Sequence, residues 1–172
     1  MRRVRYRVAM SLDGFIAGIH GEHDWIVVDP EIDFAEIFAQ FDTLLVGRRT
    51  FEAMVAAGRA SVPGVKMFVF SRTLQQEDFP DVHIVADKPG ELVTALKKDA
   101  GKDIWLFGGG SLFRNLAELA LVDTVEVAVE PVLLGQGIPL LPGSANRISL
   151  SLTGHRVYRS GIVSLEYRVE RN

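Results

Sequence analysis

The chain has 172 residues, a formal net charge of −3, 48% apolar and 24% charged residues, and no cysteine. That length suits one domain able to bury roughly 70% of its unfolded surface. The charge gives no general attraction to nucleic acid or anionic membrane, and the missing thiols exclude disulfides and thiolate metal sites.

Arg5 to Ser11 reads as a first strand, followed by a glycine-containing loop from Leu12 to Asp24. Asp29-Pro30 predicts a helix start, since Asp caps and Pro fits the first helical position. Ile32, Phe34, Ala35, Ile37, Phe38 and Phe41 give that helix one broad apolar face. Thr43 to Val46 is a short strand ending at Gly47, and Arg48 to Ala57 is helical. Val65 to Phe70 and Val82 to Ala86 are strands, and Pro89 to Ala100 is a helix stopped by Gly101. Ile104 to Phe107 is a strand, and Leu112 to Leu121 the helix after it. Toward the end Val125, Val127 and Val129 alternate with Glu126, Ala128 and Glu130, and Val163 to Glu170 alternates likewise. Period-two alternation marks antiparallel strands, and Ser160-Gly161 suggests a hairpin. The fold class is α/β: a mixed sheet with helices on both faces, βαβ-like in front and antiparallel behind. One domain, 1–172, is expected. No apolar run reaches the ~20 residues that span a bilayer, and Val4-Arg5-Tyr6-Arg7 interrupts any signal-peptide core, so the expectation is cytoplasmic.

The run Gly108-Gly109-Gly110-Ser111-Leu112 joins a buried strand to a helix. Glycines there let backbone N–H groups approach an anion, and the helix N-terminus adds partial positive charge. Gly47-Arg48-Arg49-Thr50 repeats the pattern, with cations in a first turn that favours anions, and Ser71-Arg72-Thr73 follows the next strand. Each alone is compatible with an ordinary turn or solvated arginines. Together, three strand ends offer groups for one polyphosphate ligand, and arginine beyond a diphosphate favours a 2′-phosphate, hence NADPH. Neither G-x-G-x-x-G nor a P-loop occurs. His20, Glu22, His23 and Asp24 lie in a loop without a metal-site spacing, so no metal is expected. Asp33 sits between Ile32 and Phe34, bordering the apolar face. A partly buried carboxylate there could bind an amino-heterocycle or steer a proton, although acids at a helix start also simply stabilise it. Trp25 is a second candidate for substrate contact, against ordinary packing.

Five segments in order carry a resemblance over nearly the whole chain: 8–17, Gly47-Arg48-Arg49-Thr50-Phe51-Glu52, Val69-Phe70-Ser71-Arg72, 107–112, and Pro131-Val132-Leu133-Leu134-Gly135-Gln136-Gly137. The chain resembles the dihydrofolate reductase-like superfamily, most closely the C-terminal reductase domain of the bacterial bifunctional riboflavin-biosynthesis deaminase-reductase. The resemblance implies a three-layer α/β/α fold, and hydride transfer from NADPH to a C=N or C=O carbon of a small heterocyclic or ribosylamino substrate. It implies that Ala9 and Ile16 line the nicotinamide. Gly47, Arg48, Thr50, Ser71 and Arg72 would hold the phosphates and adenosine end, and Gly108 to Leu112 the pyrophosphate, with Gly108-Gly109 as a cis peptide. It also implies a homodimer. Asp33 matches the folate enzyme's acidic residue loosely, and Ala128 stands where that enzyme has threonine. With no cysteine the chain lacks the deaminase half's zinc motifs. Dihydrofolate reductase and a non-catalytic NADP-binding module are the alternatives.

Overall fold

The computed structural model describes residues 1–143 and 146–171. Its main sheet has eight strands in the order β5-β4-β3-β6-β1-β7-β10-β9. They are β1 (Val4–Ser11), β3 (Phe41–Gly47), β4 (Lys66–Phe70), β5 (His83–Val85), β6 (Asp103–Gly108), β7 (Thr124–Glu130), β9 (Leu150–Val157) and β10 (Val163–Val169). A separate pair joins β2 (Phe15–Ala17) to β8 (Ile138–Pro139). The helices are α1 (Phe34–Ala39), α2 (Arg48–Ala56), α3 (Pro89–Lys98) and α4 (Gly110–Glu118). β5, β4, β3, β6, β1 and β7 pair in parallel, while β10 is antiparallel to both β7 and β9. The expected mixed sheet with its antiparallel end is therefore present.

Alternation along the strands sorts side chains to two cores. Val4 and Tyr6 of β1 are fully buried in one, with Val93 of α3 and Phe113 and Leu116 of α4; Tyr6 stacks on Phe113 at 4.1 Å. Trp105 and Val46 belong to the other, with Ile37 of α1 and Phe51 of α2. Trp105 meets Phe38, Phe41 and Phe107 and donates its indole N–H to the Arg7 carbonyl at 3.0 Å. α3 and α4 thus cover one face, and α1 and α2 the other. Arg5 and Arg7 alternate with Val4 and Tyr6 and face the α1 side, beyond the helix's edge.

Two expected helix starts need correction. The helix anticipated from Asp29-Pro30 begins only at Phe34 and has six residues. Asp29 does not cap it: its buried carboxylate accepts from Glu31 N at 2.7 Å and from Ser160 N at 3.3 Å, which holds 29–32 in turns. The glycine-run helix begins at Gly110 rather than Leu112, because Gly109 already caps it, and ends at Glu118. Finally, β9 escapes an alternation reading because a register shift at Glu166/Tyr167 interrupts its pairing with β10.

The Tyr6 hydroxyl is buried without a hydrogen-bond partner among the described residues, and burial pushes its pKa upward. An unsatisfied buried hydroxyl costs about 1–3 kcal/mol. Tyr6→Phe keeps the stack on Phe113 and is expected to raise unfolding free energy by roughly 1 kcal/mol in urea titrations; a loss of that size would show that the hydroxyl has a partner.

Candidate functional site

β3 and β6 are neighbours, yet β3 leads into α2 on one face and β6 into α4 on the other. Ligands of open α/β sheets bind beyond the carboxyl ends of strands at such a crevice. Here the two corners touch through backbone. A Cβ on Gly47 would lie 3.3 Å from Gly109 N and 3.4 Å from Gly108 O. Gly108 has a φ of +148°, and the Gly108-Gly109 peptide is cis, as the resemblance implies. Cβ atoms at Gly108 and Gly109 would come within 3.5 and 3.4 Å of Thr50 Oγ1. Neither Gly47 nor Gly109 gives its helix a side-chain cap. The first-turn amides of α2 and α4, with their positive dipole ends, therefore have no protein acceptor from the cap and converge on one crevice.

The sequence-predicted cofactor residues divide by what they can offer. Arg48 is exposed and meets Glu52 at 3.3 Å on its own helix. Ser71 is buried and its Oγ accepts from Thr73 N at 3.2 Å and Leu74 N at 3.1 Å, so it shapes the loop that carries exposed Arg72. Leu112 is buried in the core, which leaves only its amide for a ligand, whereas Ser111 is exposed on the first turn. Ala9 lies in register with Ala128 on β7, and Ile16 lies on β2. A dinucleotide phosphate fits this donor set: convergent amides, hydroxyls and guanidinium groups, in a cradle that side chains at three glycines would fill.

β2 is positioned by a lock between two of the quoted segments. Asp13 accepts from Ser11 Oγ at 2.6 Å, from Leu134 N at 3.1 Å and from Gly135 N at 2.7 Å. Ser11 Oγ in turn accepts from Phe15 N at 3.0 Å. The Ser11 hydroxyl, then the Gly135 and Leu134 amides, hold the Asp13 carboxyl below its ordinary value. Gly137 lies so close to β2 that a Cβ would collide with the Ala17 carbonyl oxygen, and one on Gly110 would lie 2.8 Å from Pro139 O. Segment 131–142 is thus wedged between Ile16's strand and the start of α4.

Along the α1 side of β1, β7 and β10 runs a groove of about 540 Å³, bounded by α1 and β9. Its walls include Glu31, Asp33, His155, Arg156 and Tyr158, and its floor includes Arg5, Arg7, Glu126 and Ser164. Ser164 is in register with Ala128, itself opposite Ala9, so the groove's floor runs up to the Ala9 position. Arg5 binds Glu126 through Nε at 2.6 Å and Nη2 at 2.8 Å, and Arg7 joins through Nη1 at 3.0 Å. Burial pushes the Glu126 carboxyl up, but the hydrogen bond and charge of Arg5, with help from Thr124 and Arg7, hold it below its ordinary value. Arg7 is the only one of the two arginines to keep substantial exposure, 22% of its side chain.

Asp33 does line this groove, but it is exposed rather than half-buried: with the helix starting at Phe34, it is the N-cap, accepting from Glu36 N at 2.9 Å. Trp25 is not among the groove's lining; its indole N–H donates to the Glu22 carbonyl at 3.0 Å within its own loop. The floor arginines went unnoticed in the sequence although their signal was present: Arg3, Arg5 and Arg7 alternate with Val4, Tyr6 and Val8. Among the described residues no cluster could hold a metal ion, and no helix is long and apolar enough to cross a membrane.

The family described as "RibD C-terminal domain" matches residues 2–164. The chain is 38% identical to "Uncharacterized protein YyaP" of Bacillus subtilis (strain 168), over 96% of this chain and 94% of that one. A putative riboflavin biosynthesis protein from Shewanella sp. PV-4 superposes with a TM-score of 0.82 at 26% identity, covering 99% of this chain and 100% of the other. Dihydrofolate reductase from Enterococcus faecalis, solved with NADP(H), shares the fold: TM-score 0.72, 18% identity, 98% and 97% coverage.

The Arg5–Glu126 pair is buried on both sides, so removing one charge strands the other. Glu126→Gln is expected to cost about 3 kcal/mol at neutral pH. Because the folded-state value is depressed, the pair's stabilisation is present above the unfolded glutamate value near ~4.3 and is lost as pH falls. The gap between wild type and variant in urea melts should therefore shrink toward pH 3; a gap independent of pH would contradict the assignment.

Proposed function

The chain belongs to the RibD C-terminal domain family, and from that premise we propose that it is an NADPH-dependent reductase of the riboflavin-biosynthesis reductase type, acting on a small heterocyclic or ribosylamino substrate. The observation that carries this is the meeting of the α2 and α4 N-termini at Gly47, Gly108 and Gly109. The amides of Arg48 to Thr50 and of Gly110 to Leu112 hold the diphosphate, with the Thr50 and Ser111 hydroxyls beside them. Arg48 and Arg72, both exposed, take the 2′-phosphate. Ala9 and Ile16 set the nicotinamide against the upper end of the groove. When bound, NADPH supplies the hydride; the organic step belongs to the cofactor, and the protein supplies alignment and electrostatics.

The chain's own work is positional. The Asp13 lock fixes β2, so Ile16 presses from one side while Ala9 and Ala128 form a flat floor that large side chains do not obstruct. Substrate lies in the groove, with a reducible C=N or C=O carbon at the Ala9 end and polar groups toward Ser164 and Arg7. The mixed charge of the lining suits a polar heterocycle better than an apolar one. Asp33, at the groove wall, accepts from an amino group of the substrate while it caps α1. β9 is the sheet's outer strand and exposes Leu152 and Val157, which supports pairing with a second copy as a homodimer.

NADPH oxidation is followed by absorbance with a ribosylaminopyrimidine, dihydrofolate and small carbonyls as acceptors. Turnover on the first class is expected; tight NADPH binding with no turnover on any acceptor would favour the non-catalytic module. Arg72→Ala or Arg48→Ala should weaken NADPH about tenfold while changing NADH little, the size of one lost charge-assisted hydrogen bond; equal losses would remove the 2′-phosphate role. Asp33→Asn preserves the cap, since Asn and Asp cap alike, and should lower turnover without changing NADPH affinity; unchanged turnover reduces Asp33 to its capping role. Light scattering should give twice the mass of one chain, and a single-chain mass would set the homodimer aside.

A further inference from the structure

Glu130, at the end of β7, is 1% exposed, and among the described residues no salt bridge reaches it. Among the described residues its side chain makes one hydrogen bond, to the backbone of the segment that crosses over it: Val27 N donates to Oε2 at 3.1 Å. Ser11 is its in-register neighbour on β1, but the Ser11 hydroxyl is already committed to Asp13. On the β10 side stands fully buried Ile162, just before Val163, whose partner is Val129. The nearby carboxylates have other partners: Asp13 holds Leu134 and Gly135, and Asp29 holds Glu31 N and Ser160 N. Among the described residues no cation pairs with Glu130, and burial and the Val27 amide are what act on its carboxyl.

That segment leads directly to the groove wall. After Val27 it is tied by Asp29 to Ser160 N, then by Glu31 to Arg156 at 3.6 Å and Arg159 at 3.5 Å, before Asp33 starts α1. Glu31, Ile32 and Asp33 line the groove. Apolar packing does little to hold its near end, since Val27 and Val28 are 41% and 77% exposed. We propose that Glu130 is a positioning residue for the groove: neutral, it fastens strap 25–33 over the end of β7 through Val27, and on ionising it releases the strap and loosens the groove wall.

The physical reason is solvation. A neutral carboxyl keeps its bond to Val27 and tolerates the apolar surroundings. A carboxylate there has one donor and needs more. Ser11 has no hydrogen to spare and Ile162 none at all, so the missing donors are water, and displacing the weakly packed strap is the route by which water arrives. Burial accordingly pushes the Glu130 pKa up, against the opposing effect of the Val27 amide. The sign follows: fastening is complete below the ordinary glutamate value and is lost as pH rises through the elevated one. The inference concerns the wall of the groove assigned above to substrate, yet it holds whichever cofactor fills the glycine corners.

The test is amide hydrogen exchange by NMR on the full chain between pH 5 and 9, corrected for intrinsic rates, with no ligand present. Protection of the Val27 amide should fall by up to about tenfold for each pH unit between the ordinary glutamate value and the elevated Glu130 midpoint, and should level off above that midpoint. Amides of β6 serve as the control and should not change. Glu130→Gln keeps an acceptor for Val27 and should make protection constant across the range. The carbon-13 shift of the Glu130 carboxyl, followed in the wild type, should titrate above ordinary glutamate, with its midpoint where the Val27 profile levels off. A flat wild-type profile, a variant that keeps the pH dependence, or a Glu130 midpoint at or below ordinary glutamate would each overturn the proposal. If Glu130→Gln does not fold, the carboxyl titration and the wild-type exchange profile decide it. Failure of NADPH to bind would leave this result untouched.

Discussion

Two strand ends that send their helices to opposite faces must part somewhere, and in this protein they part at a contact of bare backbone. Gly47 lies against Gly108 and Gly109, closely enough that a Cβ would crowd the opposing peptide. A side chain at Gly47 would press on the opposing peptide, and side chains at Gly108 and Gly109 would occupy the space beside Thr50. The consequence is electrostatic: the amides at the starts of α2 and α4 are left to face one crevice, without Ser, Thr, Asp or Asn caps to satisfy them. The cores on either face hold this arrangement rigid. Phe51 anchors α2 in one, while Phe113 and Leu116 anchor α4 in the other.

A second layer of constraint brings a polar groove up to that crevice. Asp13 joins the turn after β1 to Leu134 and Gly135, and Gly137 lets β8 come close to β2. These contacts fix Ile16 relative to Ala9. The alternate face of β1 continues as a polar floor from Ala9 through Arg7 to Arg5, with Glu126 neutralising the buried charge. The walls are less firmly held than the floor. α1 is short, and the strap before it depends on a few polar ties, among them the hydrogen bond from Val27 to Glu130. Under the proposed function, a firm corner for the cofactor beside an adjustable wall for the substrate suits admitting a polar substrate and then excluding water around the reacting rings.

Much of this was legible in the sequence where a local rule acts alone. Val65 to Phe70 and Ile104 to Phe107 show buried strands by their apolar runs, and Gly108-Gly109-Gly110 shows the strand-to-helix corner by the cost of glycine anywhere else. Alternation at Val125 to Glu130 and Val163 to Glu170 shows the antiparallel end. What stayed hidden depends on tertiary partners. Asp29-Pro30 has the local signature of a helix start, but Asp29 bonds instead to Ser160, 131 positions away, and the helix waits until Asp33. That displacement exposed Asp33, which the apolar spacing had placed at a buried edge. The sequence marks Arg5 and Arg7 only as part of a first strand; the register with Glu126 shows them as a paired floor. Segment 131–137 was recognisable as a motif, but its fastening to Asp13 follows from neither sequence alone.

The central claim, that the glycine corners form one dinucleotide cradle, is tested most directly by titrating the chain with NADPH and following its backbone amides by NMR. The account predicts that the largest shifts fall on Arg48 to Thr50 and Gly109 to Leu112 together, with saturation at a common concentration. Shifts confined to the Arg7–Glu126 groove, saturation of one corner without the other, or no change at saturating NADPH would contradict it.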